Sequence, residues 1–221
     1  MLPIGYMLSP NPAKGWSCLT QTCELLCLGS PMCQVHTCIC GVEVDSLGWH
    51  GVSCKNQVER HPRHAQVNDI IKRALQSADI QSRLEPPGLS RSDRKRPIEM
   101  TLSPYKEGKS FIWDFTCINT LAGAYLTETS VKPEAVAKKA EKSKLWKYQE
   151  IRKEYDMIPI AVETFGSWGP EWAQFIKNLE KKIENLTGEK RSMSYLFQSI
   201  SIAVQRGNAA SILGVVKSEK D

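Results

Sequence analysis

Phe111-Ile112-Trp113-Asp114-Phe115-Thr116 sets one carboxylate inside a run of apolar and aromatic residues. Such composition reads as a buried strand. Side chains alternate along a strand, so Ile112, Asp114 and Thr116 share one face and Phe111, Trp113 and Phe115 the other. A carboxylate on that strand is costly unless it is paired or holds a metal ion. An aspartate satisfied by hydrogen bonds at a sheet end is the plain alternative.

The pattern on either side of this strand predicts a mixed α/β sheet. Before it come a helix over about 64–78, with Val67, Ile70, Ile71, Ala74 and Leu75 at helical spacing, and strand-like pieces at 82–85 and 97–103. After it come a long helix over about 133–155, a strand over 157–164 ended by Gly166-Ser167-Trp168-Gly169-Pro170, and helices over about 171–186 and 193–205. A chain of 221 residues has room for one core with a small satellite module.

The long helix carries the sharper signal. At about 100° per residue its inward stripe is Ala137, Ala140, Tyr148, Ile151 and Tyr155. Lys144 falls in the middle of that stripe, Glu141 at its edge, and Lys147 one turn on from Lys144. A lysine on a buried face needs an anionic partner. A strand carboxylate with a helix lysine suits metal-dependent phosphodiester hydrolysis: Asp114 would hold Mg²⁺, and Lys144 would orient the attacking water or offset charge on the phosphate. A simple buried ion pair is the bland reading of the same residues.

Seven of the eight cysteines lie between Cys18 and Cys54. The start of the chain offers no charged segment followed by a long apolar run, and no stretch approaches the roughly 20 apolar residues of a membrane span. Reduced thiols in an intracellular setting, some of them binding metal, are therefore expected. Cys38-x-Cys40-x9-His50-x3-Cys54 supplies three thiolates and an imidazole, a set suited to a closed structural zinc site, with Cys33 and His36 as spare ligands. Unpaired cysteines are the alternative. The net charge is +5, and the basic residues cluster at 91–96 and 138–153, which suits a nucleic-acid partner or simply a solvated face.

Several ordered motifs go further. They are Cys38-x-Cys40-Gly41…His50-Gly51-x-x-Cys54, Arg63-His64…Asn68-Asp69-x-x-Lys72-Arg73-Ala74, Leu84-Glu85-Pro86-x-Gly88-Leu89 and Lys95-Arg96-Pro97. Trp113-Asp114-x-Thr116, Lys144-x-x-Lys147-Tyr148, Val162-Glu163-Thr164-x-Gly166-x-Trp168-Gly169 and Gln205-Arg206-Gly207-Asn208-Ala209-Ala210 follow in order. Together they resemble the C-terminal zinc-knuckle and endonuclease segment of invertebrate reverse-transcriptase-like proteins from site-specific non-LTR retrotransposons. The resemblance runs from about Cys38 to Gly214.

That resemblance implies a restriction-endonuclease-like α/β fold of the PD-(D/E)XK type with a small N-terminal zinc knuckle. Residues 1–32, rich in Pro, Cys, Gly and Ser without periodicity, read as an irregular start; the resemblance then implies a CCHC-type knuckle (33–60) and a restriction-like endonuclease domain (61–214), followed by a tail (215–221). It implies nicking of duplex DNA in the nucleus, with no membrane or small-molecule substrate and no reverse transcriptase portion in a chain this short. The cofactors would be structural Zn²⁺ on Cys38, Cys40, His50 and Cys54, and catalytic Mg²⁺ on Asp114. Lys144 and Lys147 would supply the catalytic lysine; from its own place at the stripe's edge Glu141 joins the catalytic candidates, and the basic run Arg91, Arg94, Lys95 and Arg96 is the candidate DNA contact.

One departure stands out. Relatives read Arg-Pro-Asp-Gly where this chain reads Arg96-Pro97-Ile98-Glu99. Isoleucine cannot ligate a cation, and Glu99, one residue along a strand, is expected on the opposite face. The endonuclease-like activity is thus expected to be weakened or lost. A catalytically dead DNA-binding remnant and a decayed transposon open reading frame are the alternatives.

Overall fold

The computed structural model describes residues 31, 33–54, 56, 60–84, 99–105, 107–120, 125 and 134–215. The strand expected around Asp114 runs Phe111–Ile118 (β5) and has a neighbour on each side in a four-stranded mixed sheet. Its other members are β3 (Ser82–Arg83), β4 (Glu99–Thr101) and β6 (Asp156–Glu163). β3, β4 and β5 pair antiparallel, whereas β5 and β6 run parallel, with Asp114 beside Pro159. Parallel neighbours need a crossover. Helix α3 (Ala135–Lys147) lies on the chain between them.

Alternation along β5 sorts the two faces. Ile112 packs with Tyr148 and Met157, joined by Met100, Leu145, Ile151 and Tyr155, so α3 and the segment after it cover this face. Phe111 lies 5.1 Å, ring to ring, from Phe175 on the other face, and Trp113 donates to Asn68 there. Asn68 belongs to α2 (Arg60–Ser77) and Phe175 to α4 (Pro170–Thr187). Helix α4 is strongly amphipathic, burying Trp172, Phe175, Ile176, Leu179 and Ile183 at helical spacing. Pro170 starts it and Gly188, with φ 73°, ends it.

Two helices differ from expectation. The helix expected to reach about residue 155 stops at Lys147 and is followed by a turn and a 3-10 segment, Ile151–Lys153. Eight more helical residues would carry the chain about 12 Å onward. It must instead return so that Asp156 can donate to Ser110 at the start of the parallel pair. The last helix, α5 (Ser192–Leu213), runs well past the expected end near 205. Gly207 does not break it: the Arg63 side chain packs on that glycine, and Arg63 Nη1 donates to Asn208 Oδ1 at 2.6 Å in a buried setting.

The described residues form two compact units, one from residues up to Arg63 together with those from Ile202 onward, the other from His64 to Ser201. The first contains a two-stranded hairpin, β1 (His36–Thr37) and β2 (Glu43–Val44), and the short helix α1 (His50–Ser53). No helix among the described residues is long and apolar enough to cross a membrane.

Candidate functional site

Asp114 and the end of α3 meet on the face of β5 that carries Ile112. Lys144 Nζ lies 2.5 Å from Asp114 Oδ2, with both side chains largely but not wholly enclosed (14% and 16% exposed). The Tyr148 hydroxyl donates to the same oxygen at 2.9 Å, and Lys147 Nζ donates to that hydroxyl at 3.0 Å. Three of the expected site residues, Asp114, Lys144 and Lys147, are thereby brought into one chain of contacts. Both contacts to the carboxylate fall on Oδ2; among the described residues nothing is placed on Oδ1. A carboxylate can bind a hard cation through a single oxygen, so contacts confined to Oδ2 leave Asp114 chemically suited to that role.

Tyr148 is the member that sequence reasoning missed. It stood in the apolar stripe and in the Lys144-x-x-Lys147-Tyr148 motif without a role of its own, yet a buried tyrosine needs a partner for its hydroxyl, and a core aspartate on the facing strand supplies one.

Glu141 is placed elsewhere. It is buried, and its carboxylate accepts from the backbone N–H groups of Glu171 at 3.2 Å and Trp172 at 3.1 Å, in the first turn of α4. It thus caps a neighbouring helix, where the positive end of the dipole favours it. Burial pushes its carboxyl up to about 7, against the lowering effect of those two N–H groups. Gly169 is required beside it, since a Cβ there would collide with the Glu141 carboxylate. Glu163 does the same for α3, accepting from Ala137 N at 3.0 Å.

Glu99 stands in register with Trp113, so its side chain is on the face opposite Asp114. It accepts from Asn68 Nδ2, and Asn68 in turn meets His64 Nδ1 at 3.0 Å and accepts from Trp113 Nε1 at 3.3 Å. The expected site positions Ile98, Arg91, Arg94, Lys95 and Arg96 lie outside the described residues.

The Cys/His motif forms a second site. One ligand atom from each of Cys38, Cys40, His50 and Cys54 lies within 4.8 Å of all the others. Cys38 Sγ is 3.6 Å from Cys54 Sγ, and Cys40 Sγ is 3.2 Å from His50 Nε2. Zinc bonds of about 2.3 Å to sulfur and 2.0 Å to nitrogen give tetrahedral edges of roughly 3.5–3.8 Å. The donors are therefore close to the spacing one ion requires, and the cluster could hold a metal ion such as zinc.

Local geometry explains why these four converge. Gly41, with φ 88°, makes the tight turn in which its N–H reaches Cys38 O, placing Cys38 and Cys40 on one loop. His50 opens α1 and Cys54 ends it, four residues apart and so on one side of the turn. Burial pushes the Cys38 thiol up to about 11, whereas the Val42 backbone N–H lowers Cys40. A cation would supply the charge that deprotonation of Cys38 needs.

The spare candidates fall outside the set: Cys33 Sγ donates to Asp45 O at 3.3 Å, and His36 Nδ1 sits 2.9 Å from Gln34 O. Cys38, Val44, Cys54 and Val215 form a small apolar core around the cluster, and Val52 packs on Ile212. Gly51 lies so close to the Ile212 backbone that a Cβ would approach its Cα to 2.7 Å. No protein-family model matches the chain, and no curated protein matches it.

Proposed function

We propose that this chain is a metal-dependent DNA-nicking domain of the restriction-like class, derived from a non-LTR retrotransposon protein, with activity weakened or lost through Ile98. The carrying observation is the largely enclosed contact of Lys144 Nζ with Asp114 Oδ2 on the central strand. In this reading Asp114 holds Mg²⁺, which supplies positive charge to the scissile phosphate. Lys144 orients the attacking water or offsets phosphate charge, and Tyr148 fixes the carboxylate while Lys147 adds charge beside it. The cysteine–histidine cluster holds structural zinc, and nuclear duplex DNA is the partner.

The placement of Glu99 on the far face favours a second reading, a DNA-binding remnant without cleavage, because no carboxylate among the described residues replaces the one lost at Ile98. Supercoiled plasmid incubated with Mg²⁺ or Mn²⁺ separates the two. Slow nicking by the natural chain that Asp114→Ala abolishes supports the first. Salt-sensitive DNA binding with no nicking in either protein supports the second.

A further inference from the structure

The outer face of α3 is not used by the site on its inner face. Lys138, Lys142 and Trp146 stand at successive i, i+4 positions in one exposed row, with Lys139, Ser143 and Lys147 in the next. The helix carries five lysines and one acid, and that acid, Glu141, is buried. Its exposed surface is therefore uniformly basic. Trp146 is 74% exposed at the end of the row, whereas Trp113 and Trp172 are fully buried. Its own apolar neighbours do not cover it, since Leu145 turns instead to the cluster around Ile112 and Tyr148.

A row of lysines about 12 Å long ending in an open aromatic face has the two parts of a single-strand site: charge to follow the phosphates, and a ring on which a base can stack. Paired bases are already stacked on one another, so a rigid duplex has no use for the ring. The lysine rows also lead to the site, because Lys147 Nζ reaches the Tyr148 hydroxyl that binds Asp114.

We propose that the exposed face of α3 binds an unpaired stretch of DNA, with phosphates along Lys138, Lys139 and Lys142 and one base stacked on Trp146. This deepens the nicking reading and rests on it: the substrate is DNA carrying an opened or single-stranded segment next to the cleaved strand.

Binding to fluorescent oligo-dT and to a blunt duplex of equal length tests it, without Mg²⁺ or Mn²⁺ and across a salt series. Trp146→Ala should weaken oligo-dT binding by about 5- to 150-fold and leave duplex binding unchanged, and Trp146→Phe should recover most of the loss. Replacing Lys138 and Lys142 together by Ala should lower the salt slope for oligo-dT by about 1.4.

Unchanged oligo-dT binding by Trp146→Ala, equal loss on both probes, no recovery by Phe, or an unchanged slope each overturns the proposal. Wild-type binding to duplex alone overturns it and leaves the nicking reading standing. Binding to neither probe overturns both. Oligo-dT binding that behaves as expected in a chain unable to nick leaves the α3 site standing and removes only the cleavage step.

Discussion

Glu141 offers a perturbation whose sign is unusual. The residue is 1% exposed, and its carboxyl is held by two backbone N–H groups at the start of α4. Burial raises it from 4.5 to about 7. A raised carboxyl means that the folded state binds the proton more tightly than the unfolded chain does. Its stabilising contribution is then fully present below pH 4.5 and is lost as pH climbs through about 7. Holding it ionised in the fold at higher pH costs on the order of 3 kcal/mol.

Glu141→Gln keeps a carbonyl oxygen for one of the two N–H groups and cannot titrate. Denaturant unfolding of both proteins at pH 5 and pH 8 isolates the effect, since every other titrating group is shared and cancels in the difference. Near pH 5 the protonated acid and the amide should be nearly equivalent. By pH 8 the Gln variant should have gained, relative to wild type, up to about 3 kcal/mol. A difference that stays flat with pH would refute the reasoning. A difference that moves the other way would show that the helix N-terminus, rather than burial, governs this carboxyl.

Two further outcomes follow from the sites. Cys54→Ser removes one of the four clustered thiolate and imidazole ligands and also a residue of the small core, so stoichiometric zinc should be absent by metal analysis, and one mole per mole present in wild type. Tyr148→Phe deletes the hydroxyl between Lys147 and Asp114; a hydrogen bond to a charged group in this setting is worth about 1.5–3 kcal/mol, and chemical denaturation should register a loss at the low end of that range.

The central strand was legible because aromatic and β-branched residues at 111–118 alternate around one aspartate, and helical periodicity alone put Lys144 on the inward face, where it needed an anionic partner; that Asp114 is the partner is seen in the structure. Periodicity could not see where α3 ends, because the register of β6 against β5 decides that, not local propensity. The same limit applied to Glu141. Its position at the edge of a stripe looked the same for a site residue and for a cap, and the difference lies in a helix thirty residues away.

The four-ligand cluster was legible in its spacing. What closes it was not: Ile212 and Val215 come from the far end of the chain. Gly51 and Gly207, which the sequence showed only as members of longer motifs, are places where another segment packs directly on the glycine.

The most direct test of the proposed Asp114–Lys144 centre supplies the second carboxylate that the nicking reading calls for. Ile98→Asp, assayed on supercoiled plasmid with Mg²⁺, should nick faster than the natural chain, and adding Asp114→Ala to that variant should abolish the gain. No nicking by Ile98→Asp, or nicking that survives Asp114→Ala, would contradict the account.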